Sequence, residues 1–245
     1  MLEQYGGLPI LRRSHGLKHP YSLRQDEVTA APPFPGIERW IYLVRDPRDV
    51  IVSSYFERTR RGQFWSELFT FDYSYNGMLT DYLREERGSF TTLLAFMDCW
   101  AEFALKHPKR CLILRYEDIL EDASRELNRI LTYMRAPIDE ARVGYAVDVS
   151  AFENMRKLEL VQRGDVQLAR KSGLVGSRSL TPGNPFDGES YKVRRGKHGG
   201  YTDYLDNDDI TYMNRSIAAK PRIMGHPINY SMFLSQFSKG HDENS

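Results

Sequence analysis

Five apolar residues, Trp40-Ile41-Tyr42-Leu43-Val44, run directly into Arg45-Asp46-Pro47. This junction constrains the fold more than any other feature. A continuous run of β-forming residues predicts a strand buried on both faces. Asp46 suits a helix N-cap and Pro47 a first helical residue, so a helix follows at once. Its end is expected near the basic Arg58-Thr59-Arg60-Arg61. The same order recurs downstream. A helix is predicted from Ser89, with Leu93, Phe96, Met97, Trp100 and Phe103 at helical spacing, and Pro108 stops it. Cys111–Leu114 reads as a second buried strand with Tyr116-Glu117-Asp118 at its end. Helices are then expected with Leu127, Ile130, Leu131 and Met134 on one face, over 139–147, and near 208–219. Leu8–Leu11 reads as a further short strand entering the loop Arg12-Arg13-Ser14-His15-Gly16. Strands alternating with helices indicate an α/β fold with a parallel sheet flanked by helices. Ligands in such sheets bind at the carboxyl ends of the strands. Arg13 to His15, Arg45 to Asp49 and Tyr116 to Asp118 all fall there.

The 245 residues fit one domain spanning 1–245. Residues 156–200 are rich in Gly, Ser, Arg and Lys with a poor apolar pattern, which predicts a mobile lid. With 34 Lys+Arg against 33 Asp+Glu, the net charge of +1 excludes a broad nucleic-acid surface but not a local basic pocket. Cys99 and Cys111 are the only cysteines and sit in apolar periodic segments, so they read as buried free thiols rather than metal ligands. No apolar run approaches the roughly 18 residues of a membrane helix. In Met1–Arg13 the charges follow the apolar stretch, unlike a signal peptide. The chain reads as soluble and cytoplasmic, with no membrane and no metal.

At the first junction, free N–H groups of a helix N-terminus favour an anion. Arg45 at the strand tip and Ser53 two turns along the helix can face one phosphate. The same residues also fit a capped helix with Arg45, Arg48 and Asp49 in surface ion pairs, and spacing alone leaves both readings open.

Leu43-Val44-Arg45-Asp46-Pro47-Arg48-Asp49-Val50 with Ser53-Ser54-Tyr55 resembles the 3′-phosphate motif of sulfotransferases that use 3′-phosphoadenosine 5′-phosphosulfate (PAPS). Leu112-Ile113-Leu114-Arg115-Tyr116-Glu117-Asp118 is similar to that family's strand ending in Tyr-Glu-Asp. Ser150-Ala151-Phe152-Glu153-Asn154-Met155 resembles its adenine segment. Val193-Arg194-Arg195-Gly196-Lys197-His198-Gly199-Gly200-Tyr201 resembles its Arg-Lys-Gly-x-x-Gly-Asp-Trp motif, with Arg for Lys, Gly for Asp and Tyr for Trp. Arg13-Ser14-His15 matches its Lys-Thr-His turn. The resemblance covers roughly residues 8 to 218.

The resemblance implies a P-loop NTPase-like sulfotransferase fold and PAPS as co-substrate, with a small-molecule alcohol or phenol as acceptor. It implies His15 as general base, a role that suits an imidazole at neutral pH, and Arg13 as charge stabiliser. It places Arg45, Ser53, Arg194, Arg195 and Gly196 around the 3′-phosphate, and Tyr116, Ser150, Phe152 and Met155 at the adenine end. Gly196 would let the backbone approach the phosphate. Core packing of Phe152 and Met155, a structural Tyr116 and a solvated basic loop at 192–198 are the alternatives to these roles. The family's Pro-Lys-Ser-Gly-Thr-Thr-Trp-like loop for the 5′-phosphosulfate is not matched. Lys171-Ser172-Gly173 echoes it without the hydroxyl pair or a preceding strand, so the expectation is an N-terminally truncated version of the fold. A completing N-terminal fragment or a homodimer is then a candidate partner. The rival expectation is a non-catalytic module that binds adenosine 3′,5′-bisphosphate or a partner chain. No Gly-x4-Gly-Lys-[Ser/Thr] loop supports a nucleotide kinase.

Overall fold

Strand and helix alternate from Trp40 onward in the computed structural model, which describes residues 23–28, 39–68, 73–161 and 186–220. The Leu8–Leu11 strand and the 208–219 expectation lie on opposite sides of that limit: the first falls outside the described residues, the second is a helix. The strands are β1 (Trp40–Val44) and β2 (Cys111–Arg115). They pair in parallel with Trp40 opposite Cys111 and Val44 opposite Arg115. The helices are α1 (Pro47–Leu68), α2 (Leu79–Tyr82), α3 (Phe90–Lys106), α4 (Tyr116–Glu121), α5 (Ala123–Met134), α6 (Glu140–Val149), α7 (Phe152–Val161) and α8 (Asn207–Ala218). Short 3-10 turns occupy Gln25–Glu27, Gly188–Ser190 and Gly200–Asp203.

The boundaries follow local chemistry. The Asp46 carboxylate accepts the Arg48 N–H at 2.9 Å, and α1 begins at Pro47. Ser89, Asp122, Asp139 and Asp206 cap α3, α5, α6 and α8 by accepting backbone N–H groups. Arg135 closes α5 in the left-handed region at φ 57.

Three expectations change. Helix α1 runs to Leu68 rather than stopping near Arg61. Arg61 is buried, with Glu57 at 3.1 Å and Glu159 at 3.8 Å, so this arginine faces inward mid-helix while Arg60 stays half exposed beside Asp187. Strand β1 is not buried on both faces: Val44 is 2% exposed but Leu43 is 56% exposed. Residues 156–161 of the expected lid are helical in α7, 186–200 hold the short turn Gly188–Ser190 followed by irregular backbone, and 162–185 lie outside the described residues.

The main core gathers Val44, Ile51 and Val52 with Tyr82, Leu83, Phe90, Leu94, Met97, Tyr201, Leu205, Met213 and Ile217. It therefore reaches from the start of α1 to α8 through Tyr201 and Leu205. A second cluster, Trp100, Phe103, Ala104 and Cys111, packs with Trp40 and Tyr42 against the base of the sheet. The stripe of α3 that is fully buried in the main core is Phe90, Leu94, Met97 and Ala101, with Leu93 only half-buried at its edge. Both cysteines are free, Cys111 buried and Cys99 half-buried.

Burial pushes the Cys111 thiol up from 9.0 to about 11. The folded state therefore holds that proton more tightly than the unfolded chain. This contribution is complete below pH 9.0 and is lost as pH rises toward about 11. The wild type should lose more stability than Cys111→Ala between these two pH values, read as the shift of urea midpoints. Parallel losses in the two proteins would refute it.

Candidate functional site

The parallel register sets the site. Val44 is opposite Arg115, so the next residues, Arg45 and Tyr116, leave the sheet side by side. The Arg45 guanidinium lies 4.5 Å from the centre of the Tyr116 ring. One step further, the Asp46 N–H donates to Glu117 Oε1 at 2.9 Å. Glu117 thus ties the two strand ends together.

The first turn of α1 is built on buried charges. Arg48, 1% exposed, donates from Nη2 to Asp46 Oδ2 at 2.7 Å and from Nε to Asp46 Oδ1 at 3.0 Å. Its Nη1 reaches Asn214 Oδ1 at 2.9 Å, and its guanidinium covers the Tyr201 ring at 4.6 Å. Burial raises the Tyr201 hydroxyl to about 12. Asp49 is buried and faces Arg45 Nη2 at 3.4 Å. Of the two sequence readings, the ion pairs exist, but Arg48, Asp46 and Asp49 make them inside the protein rather than on its surface.

A distant loop closes onto this turn. Asp49 Oδ2 accepts the Gly199 N–H at 2.8 Å and Oδ1 the Tyr201 N–H at 3.0 Å. Arg45 Nη2 donates to the Lys197 carbonyl at 2.8 Å. Its Nε is buried with no hydrogen-bond partner. Lys197 and Gly199 are therefore held against Arg45 and Asp49.

Within that segment the two arginines differ. Arg194 donates to Glu189 Oε2 at 2.8 Å and to the Tyr204 hydroxyl at 2.6 Å. Its guanidinium lies 4.4 Å from the Phe56 ring centre and 5.1 Å from that of Tyr204. Arg195 is more open; it pairs with Asp203 and with Glu189 Oε1 at 3.3 Å, over the Tyr204 ring at 4.7 Å. Burial works to raise the Glu189 carboxyl, but hydrogen bonds from Arg194 and Tyr204 outweigh it and hold the group below the usual carboxylate range. Burial and the bond to Glu189 push the Tyr204 hydroxyl up to about 12.

Gly196 has φ +62, and a Cβ there would sit 2.2 Å from Phe152 Cδ2. Its backbone is in the left-handed region and is pressed against that ring. Phe152 is the first residue of α7. Ser150 caps α6, its Oγ donating to the Ala146 carbonyl at 2.6 Å, and is exposed. Met155 is half-buried in α7. Further along α7, Glu159 accepts the Lys192 and Val193 N–H groups at 2.6 and 2.8 Å and so holds the base of the arginine loop.

Of the residues singled out from sequence, Arg45 and Tyr116 are brought together, as are Gly196 and Phe152, and the Lys197 carbonyl joins the loop to Arg45. Ser53 is exposed; its neighbour Ser54 is buried and shares a hydrogen bond with the Tyr82 hydroxyl at 2.8 Å. Arg13 and His15 lie outside the described residues. Asp49, Glu117, Glu159, Glu189 and Asp203 were not foreseen as parts of the site. Asp49 and Glu117 stood inside the motifs; nothing local marked the other three. Beside Arg45 a cavity of about 180 Å³ is lined by Tyr42, Leu43, Val50, Ser54, Phe96 and Met97, among others. Among the described residues no three His, Cys, Asp or Glu side chains are grouped to hold a metal ion, and no helix is long and apolar enough to cross a membrane.

The fold has known counterparts. Mouse sulfotransferase SULT7A1, solved in complex with PAP, superposes at TM-score 0.53 and 15% identity, over 81% of this chain and 62% of that one. Retinol dehydratase, solved with retinol and PAP, superposes at TM-score 0.50 and 24% identity, over 74% of this chain and 46% of that one. In sequence, the chain is 29% identical to cytosolic sulfotransferase 15 of Arabidopsis thaliana over 135 residues, and 30% identical to sulfotransferase 1A1 of Bos taurus over 117 residues. These stretches are 51% and 48% of this chain but span only 35% and 37% of the lengths of those relatives. The α/β architecture is thus the sulfotransferase fold. The sulfotransferase domain family matches residues 38–225, more than half of the chain, and the chain belongs to that family.

Proposed function

We propose that this chain binds a 3′-phosphorylated adenosine nucleotide at the Arg45 cluster and moves the sulfuryl group of PAPS to the hydroxyl of a small-molecule alcohol or phenol. The observation that carries the reading is the closure of the arginine loop on the first strand end, through Arg45 Nη2 on the Lys197 carbonyl and Asp49 on the Gly199 and Tyr201 N–H groups. One further feature fits a phosphate there: Arg45 Nε is a buried donor without a partner. A guanidinium grips phosphate oxygens in pairs, and main-chain N–H groups in a turn add to it. Phe152 offers a ring face to adenine, and Tyr116, under Arg45, closes the strand-end side. PAP, named with both solved relatives, is the nucleotide left when PAPS gives up its sulfuryl group.

In the transfer, the acceptor oxygen forms a bond to sulfur while the bond from sulfur to the phosphate oxygen breaks. His15 would take the acceptor proton. Arg13 and the cluster cations would offset the charge that grows on the leaving phosphate. One domain over residues 1–245 and a cytosolic location belong to the same reading, the latter following the cytosolic relatives. Ser53, Arg194 and Met155 keep their proposed places at the 3′-phosphate and adenine, with Arg194 acting from behind its partners. Ser150 is proposed at the adenine end from the α6–α7 junction.

Calorimetry with adenosine 3′,5′-bisphosphate tests the binding half. Arg45→Ala should weaken binding by about 10- to 100-fold, the value of charged hydrogen bonds lost from a protected site; equal affinity would end the proposal. Gly196→Ala introduces a Cβ into the Phe152 ring at positive φ, a strain of about 1–2 kcal/mol before any clash. It should lower both the melting temperature and the bisphosphate affinity. The chemical half rests on His15. His15→Ala should cut kcat by about 10²- to 10⁴-fold in a phenol sulfation assay and leave bisphosphate affinity unchanged. Binding with no turnover by the wild type would instead favour a non-catalytic nucleotide-binding module.

A further inference from the structure

The cations of the arginine loop have partners within their own loop. Lys197 Nζ donates to Asp203 Oδ2 at 2.8 Å, and Arg195 Nη1 pairs with the same oxygen. The other side of Arg195 keeps Glu189 at 3.3 Å, and Arg45 keeps Asp49 at 3.4 Å. These partners are not equivalent. Asp49 is buried and also binds two main-chain N–H groups, and Glu189 is fixed by Arg194 and Tyr204. Asp203 is 37% exposed, and its carboxylate contacts are the two loop cations, themselves 38% and 50% exposed. The Lys197 bond, aided by the nearby charges, holds the Asp203 carboxyl below its ordinary range, so it is ionised at neutral pH.

The geometry of Gly200 allows this pairing. A Cβ at Gly200 would meet Lys197 Cε at 3.3 Å, so the lysine stem lies on the glycine and continues to Asp203. Asp203 holds the same kind of oxygen pair that a phosphate would offer, at the end of the 3-10 turn that begins at Gly200.

We infer that Asp203 is an internal stand-in for the nucleotide phosphate: it pairs with Arg195 and Lys197, must be displaced when the nucleotide binds, and so sets the nucleotide affinity. The inference rests on the proposed nucleotide site. Exposed ion pairs are weak and screened, so a phosphate dianion displaces the carboxylate. Asp203 therefore lowers affinity without blocking the site, and favours release of the nucleotide product.

The test is calorimetric titration of the full chain with adenosine 3′,5′-bisphosphate and, in parallel, with adenosine 5′-monophosphate. Asp203→Asn and Asp203→Ala should each bind the bisphosphate about three- to tenfold more tightly than the wild type. The monophosphate, which lacks the 3′ group, should show no gain. In a Lys197→Met background the gain from Asp203→Asn should shrink, because one of the two cations it frees is gone. Weaker binding by both Asp203 variants would make the residue a support of the site and overturn the inference. An undiminished gain in the Lys197→Met background, or an equal gain for the monophosphate, would reduce it to a general charge effect and overturn it as well. Wild-type binding of the bisphosphate with no gain in either variant removes this inference and leaves the nucleotide site standing. Failure of wild type and variants alike to bind removes both.

Discussion

A buried carboxylate holds the two halves of the site together. Asp49 lies in the first turn of α1, and its two oxygens accept the N–H groups of Gly199 and Tyr201. Burying a charge is unfavourable unless its lone pairs are satisfied. Here two main-chain donors and the Arg45 guanidinium at 3.4 Å supply that satisfaction. The dependence runs both ways. The loop needs Asp49 because main-chain donors at a turn without partners would be costly to bury. Tyr201, which follows directly, is 2% exposed and packs in the main core. Core packing and loop position are therefore one event, and the loop is fixed at the strand end through Lys197, Gly199 and Tyr201.

The sheet supplies the other half of the geometry. With parallel pairing in this register, the residues that leave β1 and β2 are neighbours, and Arg45 lands on Tyr116. A slip of one residue would invert the faces of the strand and separate these two side chains. Glu117 guards against this by accepting the Asp46 N–H from the neighbouring strand end. The Tyr-Glu-Asp sequence thus has a structural reason for its middle residue, independent of any ligand.

Much of this was legible because it depends on local chemistry. Asp46-Pro47 marked the start of α1 and Ser89 the start of α3, since capping is written within four residues. Gly196 stood out in the sequence as a glycine of the basic loop, and in the structure its φ of +62 and the Phe152 ring against it both require a residue without a side chain. What failed was long-range. Arg58 to Arg61 imitates the basic end of a helix, yet Arg61 turns inward to Glu57 and Glu159, the latter about a hundred residues away, so α1 continues. The apolar run of β1 implied two covered faces, but hydrophobicity does not say what covers them, and Leu43 is open. Ser53 and Ser54 look alike in sequence; only the packed helix separates the exposed one from the buried one. Glu189 and Asp203 carry no motif at all, because their meaning lies in the cations they meet after folding.

The two loop arginines show why pairing matters more than residue type. Arg194 is fixed between Phe56 and Tyr204 and hydrogen-bonded to both Glu189 and the Tyr204 hydroxyl. A guanidinium held on several sides adds field rather than reach, since moving it would strand the partly buried Glu189 carboxylate. Arg195 faces carboxylates on an open surface, where exchange of one oxygen pair for another costs little. Arg45 stands between these extremes, stacked on Tyr116 and bonded to the Lys197 carbonyl, with one buried N–H still available. A doubly charged ligand at this place would thus meet a fixed field, an exchangeable grip and one waiting donor. The three cations differ in how firmly they are held because the fold has given each a different set of partners.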